Sequence, residues 1–204
     1  MTEKDSNIGK SNFVHDALKK HIDLFNEIRK DKTLQCQILE VAKKLVSIYS
    51  NKGKLLLCGN GGSAAQAQHL ATELVSRFYF DRKALNAEAL SVNTSSITAI
   101  ANDYSFEKIF SRQIEAKGES GDMLISLTTS GKSKNIIEAL KVSHNLKIYT
   151  VLLTGQISES NLLNYTDIII SVPSKIIPRI QEAHIFIGHL ICEYVERELF
   201  AKKK

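Results

Sequence analysis

The sequence predicts an α/β fold, with a five-stranded parallel sheet flanked by helices on both faces and preceded by an N-terminal helical extension. Five short apolar runs recur along the chain, and between them lie segments long enough for crossover helices. Of the 204 residues, 43% are hydrophobic and 24% are charged, which is globular rather than disordered composition. This length fits one domain of ordinary size.

Two amphipathic helices precede the first strand. Apolar side chains recur at spacings of three and four near residues 11–28 and again from Ile38 to Tyr49, a pattern typical of helices. Gly53 is expected to end the second helix. Residues 1–52 are therefore expected to pack on the domain or in an interface between subunits.

The five apolar runs are then taken as the strands, and a long helix closes the chain. The final helix is predicted at about 178–200, and the strands at 55–58, 88–92, 123–128, 148–153 and 167–172. Because the sequence shows no internal repeat and no low-complexity segment, residues 1–204 are interpreted as a single domain.

Composition argues against several classes of protein. The N-terminal segment lacks a signal-peptide core, and nowhere do about 18 apolar residues run together, so a cytoplasmic protein without membrane contact is expected. The net charge is +5, but the basic residues are scattered and three form the tail at 202–204. Nucleic acid is therefore not expected as a partner. Three cysteines without CxxC spacing are expected to be small core residues: Cys36, Cys58 and Cys192.

The first informative loop is glycine-rich and joins a strand to a helix. It contains Gly59, Asn60, Gly61, Gly62 and Ser63. Glycines let the backbone approach a ligand closely, Ser63 can cap the helix, and Asn60 offers both a donor and an acceptor. These groups suit recognition of a polyol or a phosphate, although a purely structural turn remains an alternative.

A dinucleotide site is a weaker interpretation of this loop. The GxGxxG/A fingerprint also needs an acidic residue at the end of the next strand, where this chain has Asn93. Asp81 has the approximate spacing but precedes that strand.

The second informative loop is rich in hydroxyls. Thr128, Thr129, Ser130 and Ser133 lie between a strand and a helix, where free amides and the helix dipole favour a phosphate, with Lys132 as a cationic neighbour. A nucleoside triphosphatase is disfavoured because the P-loop needs glycine where Ser126 stands. A turn that merely caps the helix remains the alternative.

Two helices carry the remaining candidates. His69 and Glu73 are four residues apart and share a helix face, so they can bind zinc or supply a general base, although such pairs are common on solvated helices. The last helix adds four polar residues to an apolar segment: Gln181, Glu182, His184 and His189.

The sequence resembles the sugar isomerase (SIS) domain proteins and, within them, the phosphoheptose isomerases. The likeness runs nearly end to end and is carried by CGNGGSAA at 58–65, QHLATEL at 68–74, AIANDYSF at 99–106, TTSGKS at 128–133 and RIQEAHIFIGH at 179–189. It implies the SIS fold and conversion of sedoheptulose 7-phosphate to D-glycero-D-manno-heptose 7-phosphate in bacterial heptose biosynthesis. It also implies a homotetramer with sites between subunits and one zinc ion per subunit.

The resemblance also implies roles for individual residues. Glu73 and His189 would be the acid/base pair, and both would bind the metal together with His69 and Gln181. The phosphorylated seven-carbon sugar would contact Glu73, Arg77, Gln181 and the loop residues Asn60, Gly61, Gly62, Ser63, Asn93, Thr94, Thr128, Thr129, Ser130 and Ser133. Gln181 and His189 are separated by about 12 Å of helix rise, so their side chains must lean together or subunits must share the site.

Departures from the family pattern bear on the substrate. Asn93 stands where the family usually has aspartate, which keeps hydrogen bonding but loses a charge. Gln66 likewise replaces a common aspartate, and Lys132 an uncharged residue. The main alternative is a non-catalytic protein similar to the DnaA initiator-associating protein, but that relative lacks acid/base residues at the positions of Glu73 and His189. A sugar-phosphate-sensing regulator is also disfavoured, because the chain shows no helix-turn-helix segment.

Overall fold

The computed structural model describes residues 3–157 and 160–201 and contains one parallel sheet of five strands, as predicted. The strands are β1 Leu55–Gly59, β2 Ala87–Ala89, β3 Met123–Leu127, β4 Tyr149–Thr154 and β5 Ile168–Ser171, in the order β2-β1-β3-β4-β5. The α-helices are α1 Glu3–Lys30, α2 Lys32–Ser50, α3 Gly62–Val75, α4 Thr94–Asp103, α5 Ser111–Lys117, α6 Lys134–Asn145 and α7 Ile177–Phe200. Two short 3-10 helices span Phe106–Lys108 and Ser160–Tyr165.

The strands are apolar on both faces because helices cover both faces. Leu55 and Leu57 pack in one hydrophobic core with α1, α2, α3 and α7, whereas Leu56 and Cys58 pack in a second core with α4, α5 and α6. Side chains that alternate along a strand point to opposite faces, so a continuous apolar run fills both cores. The predicted α/β architecture is confirmed.

Several strand and helix boundaries differ from those predicted. The strand predicted at 88–92 ends at Ala89, because the chain turns through Leu90 and Ser91 to start α4. Gly53 follows a helix that ends at Ser50, and Lys52 has the left-handed conformation with φ 65°. Gly53 is required for space, since a Cβ there would lie 2.7 Å from Ile48 Cγ2.

The cysteine prediction is wrong at one position. Cys58 and Cys192 are buried in the two cores, but Cys36 is exposed on α2. The apolar face of α2 is formed by other residues at helical spacing, and position 36 falls on the opposite side.

The N-terminal helices contribute to the core on the α7 side of the sheet. Asp31 caps α2 by accepting a hydrogen bond from the Leu34 N–H at 2.9 Å. Leu24 and Ile28 of α1 are buried, whereas the earlier part of that helix leaves large apolar side chains exposed: Phe13, Val14, Leu18 and Ile22. Across the described residues, none of the helices has the length and apolar character needed to span a bilayer.

Candidate active site

The sheet order creates a crevice at the carboxyl ends of β1 and β3. These strands are hydrogen-bonded neighbours, but the chain leaves β1 into α3 on one face and leaves β3 into α6 on the other. In open parallel sheets, ligands bind where the connections diverge in this way. The two loops predicted to bind ligand, at 59–63 and 128–133, therefore lie side by side.

The glycine-rich loop presents the N-terminus of α3. Gly61 is the N-cap, with φ 53°, a conformation that glycine adopts without strain. The prediction that Ser63 caps this helix is wrong, because α3 begins at Gly62 and the Ser63 side chain is buried in its first turn. Within the part of the chain that the structure describes, no side chain caps α3, and its first amides face the crevice end of the sheet.

A reciprocal amide pair joins the two loops. Asn60 Nδ2 donates to Asn135 Oδ1 at 2.9 Å, and Asn135 Nδ2 donates to Asn60 Oδ1 at 2.8 Å. Asn135 is buried at the start of α6 and was not singled out from the sequence. Asn60 therefore holds the loops together, and its remaining donor and acceptor capacity is what a ligand can use.

The hydroxyl-rich loop presents the N-terminus of α6. Ser133 is the N-cap residue, but among the described side chains none, including its own, caps the helix. Thr128 Oγ1 lies 3.5 Å from Ser133 Oγ, Ser130 Oγ accepts a hydrogen bond from the Lys132 N–H, and Thr129 is half-buried. This favours an anion site over the capping turn, because the amides at the N-terminus of α6 remain available.

Three further residues predicted to bind ligand are exposed at the surface. Asn93 follows β2 and caps α4, where its Oδ1 accepts a hydrogen bond from the Ser96 N–H at 3.0 Å. Thr94 is the first residue of α4, and Arg77 lies just beyond the end of α3. Asn93 thus uses an oxygen for the helix, which explains why an amide can replace a carboxylate there.

The acid/base candidates meet between α3 and α7. His69 Nε2 lies 2.9 Å from His189 Nε2 and 3.2 Å from Glu73 Oε1. The His69 and Glu73 side chains are 48% and 21% exposed, so a ligand can reach them. Burial, together with nearby His69, lowers the pKa of His189, which favours its neutral form near pH 7.

This cluster has the chemistry of a metal site. His69, Glu73 and His189 each offer one ligand atom, and these atoms lie within 4.8 Å of one another. Two imidazole nitrogens on one tetrahedral zinc stand about 3.3 Å apart, since Zn–N bonds are about 2.0 Å. The donor types and spacing therefore fit a zinc-like ion.

Gln181 lies at a different place on the α3–α7 interface. A Cβ added at Gly62 would come within 2.6 Å of Gln181 Nε2. The backbone carbonyl of Gln181 accepts a hydrogen bond from Gln66 Nε2. His189 instead contacts His69, which is seven residues, or about 10 Å of helix rise, further along α3. Gln181 is thus beside the glycine loop.

The other two polar residues of α7 have structural surroundings. Glu182 accepts a hydrogen bond from His21 of α1 at 2.7 Å and pairs with Arg179. His184 is fully buried, and the polar group nearest to its ring is the backbone of Thr154, which opposes the effect of burial only in part. Burial lowers the pKa of His184 to about 4.

This burial predicts a specific acid sensitivity. Below pH 6.5 the unfolded chain takes up a proton at His184 more readily than the folded chain, so stability is intact above pH 6.5 and is lost as the pH falls toward 4. In the wild type, the free energy of unfolding should fall by roughly 3 kcal/mol over that range because of His184. His184→Leu should abolish this part of the decrease. Urea unfolding at several pH values between 7 and 4 measures the free energy of unfolding of both proteins. The exposed His144→Leu should retain the wild-type pH dependence, and an equal slope in wild type and His184→Leu would contradict the prediction.

Comparison with known proteins agrees with the fold and site. The model of the SIS domain family matches residues 18–155. A phosphoheptose isomerase from Clostridium acetobutylicum is 48% identical over 94% of this chain and 97% of its own. Solved phosphoheptose isomerases from Francisella tularensis and Neisseria gonorrhoeae, each 36% identical, superpose with TM-scores of 0.86 and 0.84. The first covers 97% of this chain and 100% of its own; the second covers 91% and 98%.

An α/β fold with this likeness to phosphoheptose isomerases over nearly the whole chain identifies an isomerase that acts on a sugar phosphate. This confirms that the chain is an enzyme and sets aside the non-catalytic alternatives. The chain belongs to the SIS-domain family and, within it, to the phosphoheptose isomerases.

Proposed function

We propose that this enzyme interconverts sedoheptulose 7-phosphate and D-glycero-D-manno-heptose 7-phosphate. The proposal rests chiefly on the contact between α3 and α7 that brings Glu73, His69 and His189 together. The likeness to phosphoheptose isomerases nearly end to end supports the choice of a seven-carbon sugar. The product fits a role in heptose biosynthesis.

The chemistry follows from what isomerisation requires. A proton must move between C1 and C2 while the carbonyl group moves the opposite way, so the site needs a base and an acid. Glu73 removes the C1 proton of the ketose or the C2 proton of the aldose and then delivers a proton to the neighbouring carbon. His189 transfers a proton between the two oxygens, for which a neutral imidazole is suited. An enediol forms between these steps.

The phosphate binds at the two open helix N-termini. Thr128, Thr129, Ser130 and Ser133 supply hydroxyls beside α6, and Gly61, Gly62 and Ser63 form the start of α3 at the same crevice. Helix dipoles and free amides favour the negative charge. Asn60, Gln181, Asn93, Thr94 and Arg77 then contact the sugar hydroxyls or the phosphate.

One zinc ion per subunit fits the cluster of His69, Glu73 and His189. Bound there, zinc would act as a Lewis acid that stabilises negative charge on the substrate oxygens. Gln181 would be the fourth ligand. Since Gln181 lies beside Gly62 in its own chain, a second copy of the chain is the simplest source of this ligand.

A shared site also accounts for distances along α3. Gly62 and Glu73 are eleven residues apart, about 16 Å of helix rise, which exceeds the reach of an extended seven-carbon sugar and its phosphate. We therefore propose that the phosphate loops of one subunit face the cluster of another in a homotetramer. The exposed apolar residues of α1 are covered in this assembly: Phe13, Val14, Leu18 and Ile22.

Mixing inactive variants tests the shared site. Ser130→Asp places a negative charge in the exposed phosphate loop, and Glu73→Gln removes the base, so each alone should be inactive. Mixed oligomers of the two should regain turnover, because some sites combine a wild-type loop with a wild-type cluster. Glu73→Gln mixed with His189→Ala should stay inactive, since one chain supplies both groups. Verified mixed oligomers of the first pair without turnover would contradict the shared site.

A further inference from the structure

A fully buried ion pair joins the segment after α3 to α7; α3 and α7 are the two helices that carry the acid/base cluster. Arg82 follows α3, and its side chain is 1% exposed; Glu196 is in α7, and its side chain is 0% exposed. Arg82 Nε donates to Glu196 Oε1 at 2.9 Å. The sequence did not predict this pair, because the two residues are 114 positions apart.

The Arg82 guanidinium caps the C-terminal end of α3. It donates to the backbone carbonyls of Glu73 at 2.9 Å, Leu74 at 2.6 Å and Lys83 at 3.1 Å. Carbonyls in the last turn of a helix lack partners within the helix, so Arg82 supplies a donor to the Glu73 carbonyl and shares the Leu74 carbonyl with the Leu85 N–H. One of these carbonyls belongs to the residue that carries the proposed base.

The carboxylate holds the segment that follows α3. Glu196 Oε1 also accepts from the Phe78 N–H at 2.8 Å, and Oε2 accepts from the N–H groups of Tyr79 and Phe80. Burial alone would raise the pKa of Glu196, but these donors and Arg82 more than offset it, so its pKa is lowered and the carboxylate stays charged.

The pair therefore connects the two helices that carry the acid/base groups. His189 lies about two turns before Glu196 on α7, and Glu73 lies in the last turn of α3. Between them the helices are in close contact, because a Cβ at Gly188 would lie 2.5 Å from Leu70 Cδ1. Close packing at Gly188 fixes the separation of the helices, and the ion pair fixes their position along each other.

We propose that Arg82 and Glu196 are positioning residues that set the placement of Glu73 relative to His189. A buried ion pair adds little net stability compared with apolar residues, so stability alone is a weak reason for it here. Misplacement of a reacting group by about 1 Å can lower a rate about 100-fold. This inference rests on the proposed isomerase function.

The test compares Glu196→Gln with a matched change elsewhere. In Glu196→Gln an NH2 group replaces one oxygen and faces an N–H donor, which displaces the segment after α3. The control is Asp122→Asn: Asp122 is 3% exposed, pairs with Lys54 at 2.8 Å, and accepts from the Lys54 and Glu119 N–H groups. It precedes β3, and none of these partners belongs to α3 or α7. Arg82→Lys, which keeps the charge but loses the planar fork, is the second variant should Glu196→Gln fail to fold.

We expect kcat of Glu196→Gln and Arg82→Lys, per folded subunit, to fall about 10- to 100-fold with KM within about twofold. Asp122→Asn should lose thermal stability while it keeps kcat. A wild-type kcat in either folded variant would overturn the proposal. Crystal structures provide a readout that does not depend on turnover: the Glu73 carboxylate should move away from His69 in Glu196→Gln. An unmoved Glu73 would overturn the positioning role even if the wild type proved not to be an isomerase.

Discussion

Glu73→Gln is expected to lower kcat by roughly 10³- to 10⁴-fold, because the amide cannot accept the proton that must leave the substrate carbon. The amide matches the carboxylate in shape, and Glu73 is partly exposed, so the fold should be retained. Loss of a proposed metal ligand would add to the effect. Single-turnover measurements with the sugar phosphate, beside circular dichroism and thermal unfolding, separate loss of chemistry from loss of structure.

Glu193→Gln is the matched control for this change. Glu193 lies on α7 and pairs with Arg197 at the surface at 2.9 Å, so the same carboxyl-to-amide replacement should leave kcat within about twofold of wild type. A Glu73→Gln protein with more than a tenth of wild-type turnover would exclude Glu73 as the base.

His189→Ala is expected to lower kcat by roughly 10²- to 10⁴-fold while KM changes much less. The imidazole lies 2.9 Å from His69 and is only partly buried, so it can exchange protons with a ligand between α3 and α7. KM should be retained because the two loops proposed to bind the phosphate are unchanged. Steady-state kinetics over a range of substrate concentrations measures both constants.

His144→Ala is the control for the second change, since His144 is exposed near the C-terminal end of α6, about 16 Å of helix rise from Ser133 at the other end. It should have wild-type kinetics. If His189→Ala raised KM strongly and left kcat unchanged, His189 would be a binding residue rather than the proton shuttle.

The architecture could be predicted because its signal is local. Each strand is a continuous apolar run, and a run that is buried on both faces indicates a parallel sheet between helices. Boundaries were less accurate where a cap or close packing decides them. Asn93 starts α4 and thereby shortens β2, and the left-handed residue after α2 is Lys52 although Gly53 stands beside it.

The site could be predicted only as separate pieces. His69 and Glu73 share a helix, so their spacing showed the pair directly. Contacts between distant positions left no such signal, and Asn135, which pairs with Asn60 at a separation of 75 residues, was missed. Ser63 has the residue type of a helix cap but lies two residues after the N-cap position, which Gly61 occupies. The place of Gln181 beside Gly62 depends on how two helices pack, which no local pattern specifies.

The most direct test of the central claim is an NMR assay of the purified protein with sedoheptulose 7-phosphate, with and without added zinc, beside Glu73→Gln. The account predicts that the wild type forms D-glycero-D-manno-heptose 7-phosphate, faster with zinc, and that Glu73→Gln does not. In deuterated water the product should carry deuterium at C2, because the proton taken up by the base exchanges with solvent. No turnover by a folded, zinc-loaded wild type would contradict the proposed substrate, and equal turnover by Glu73→Gln would contradict the proposed base.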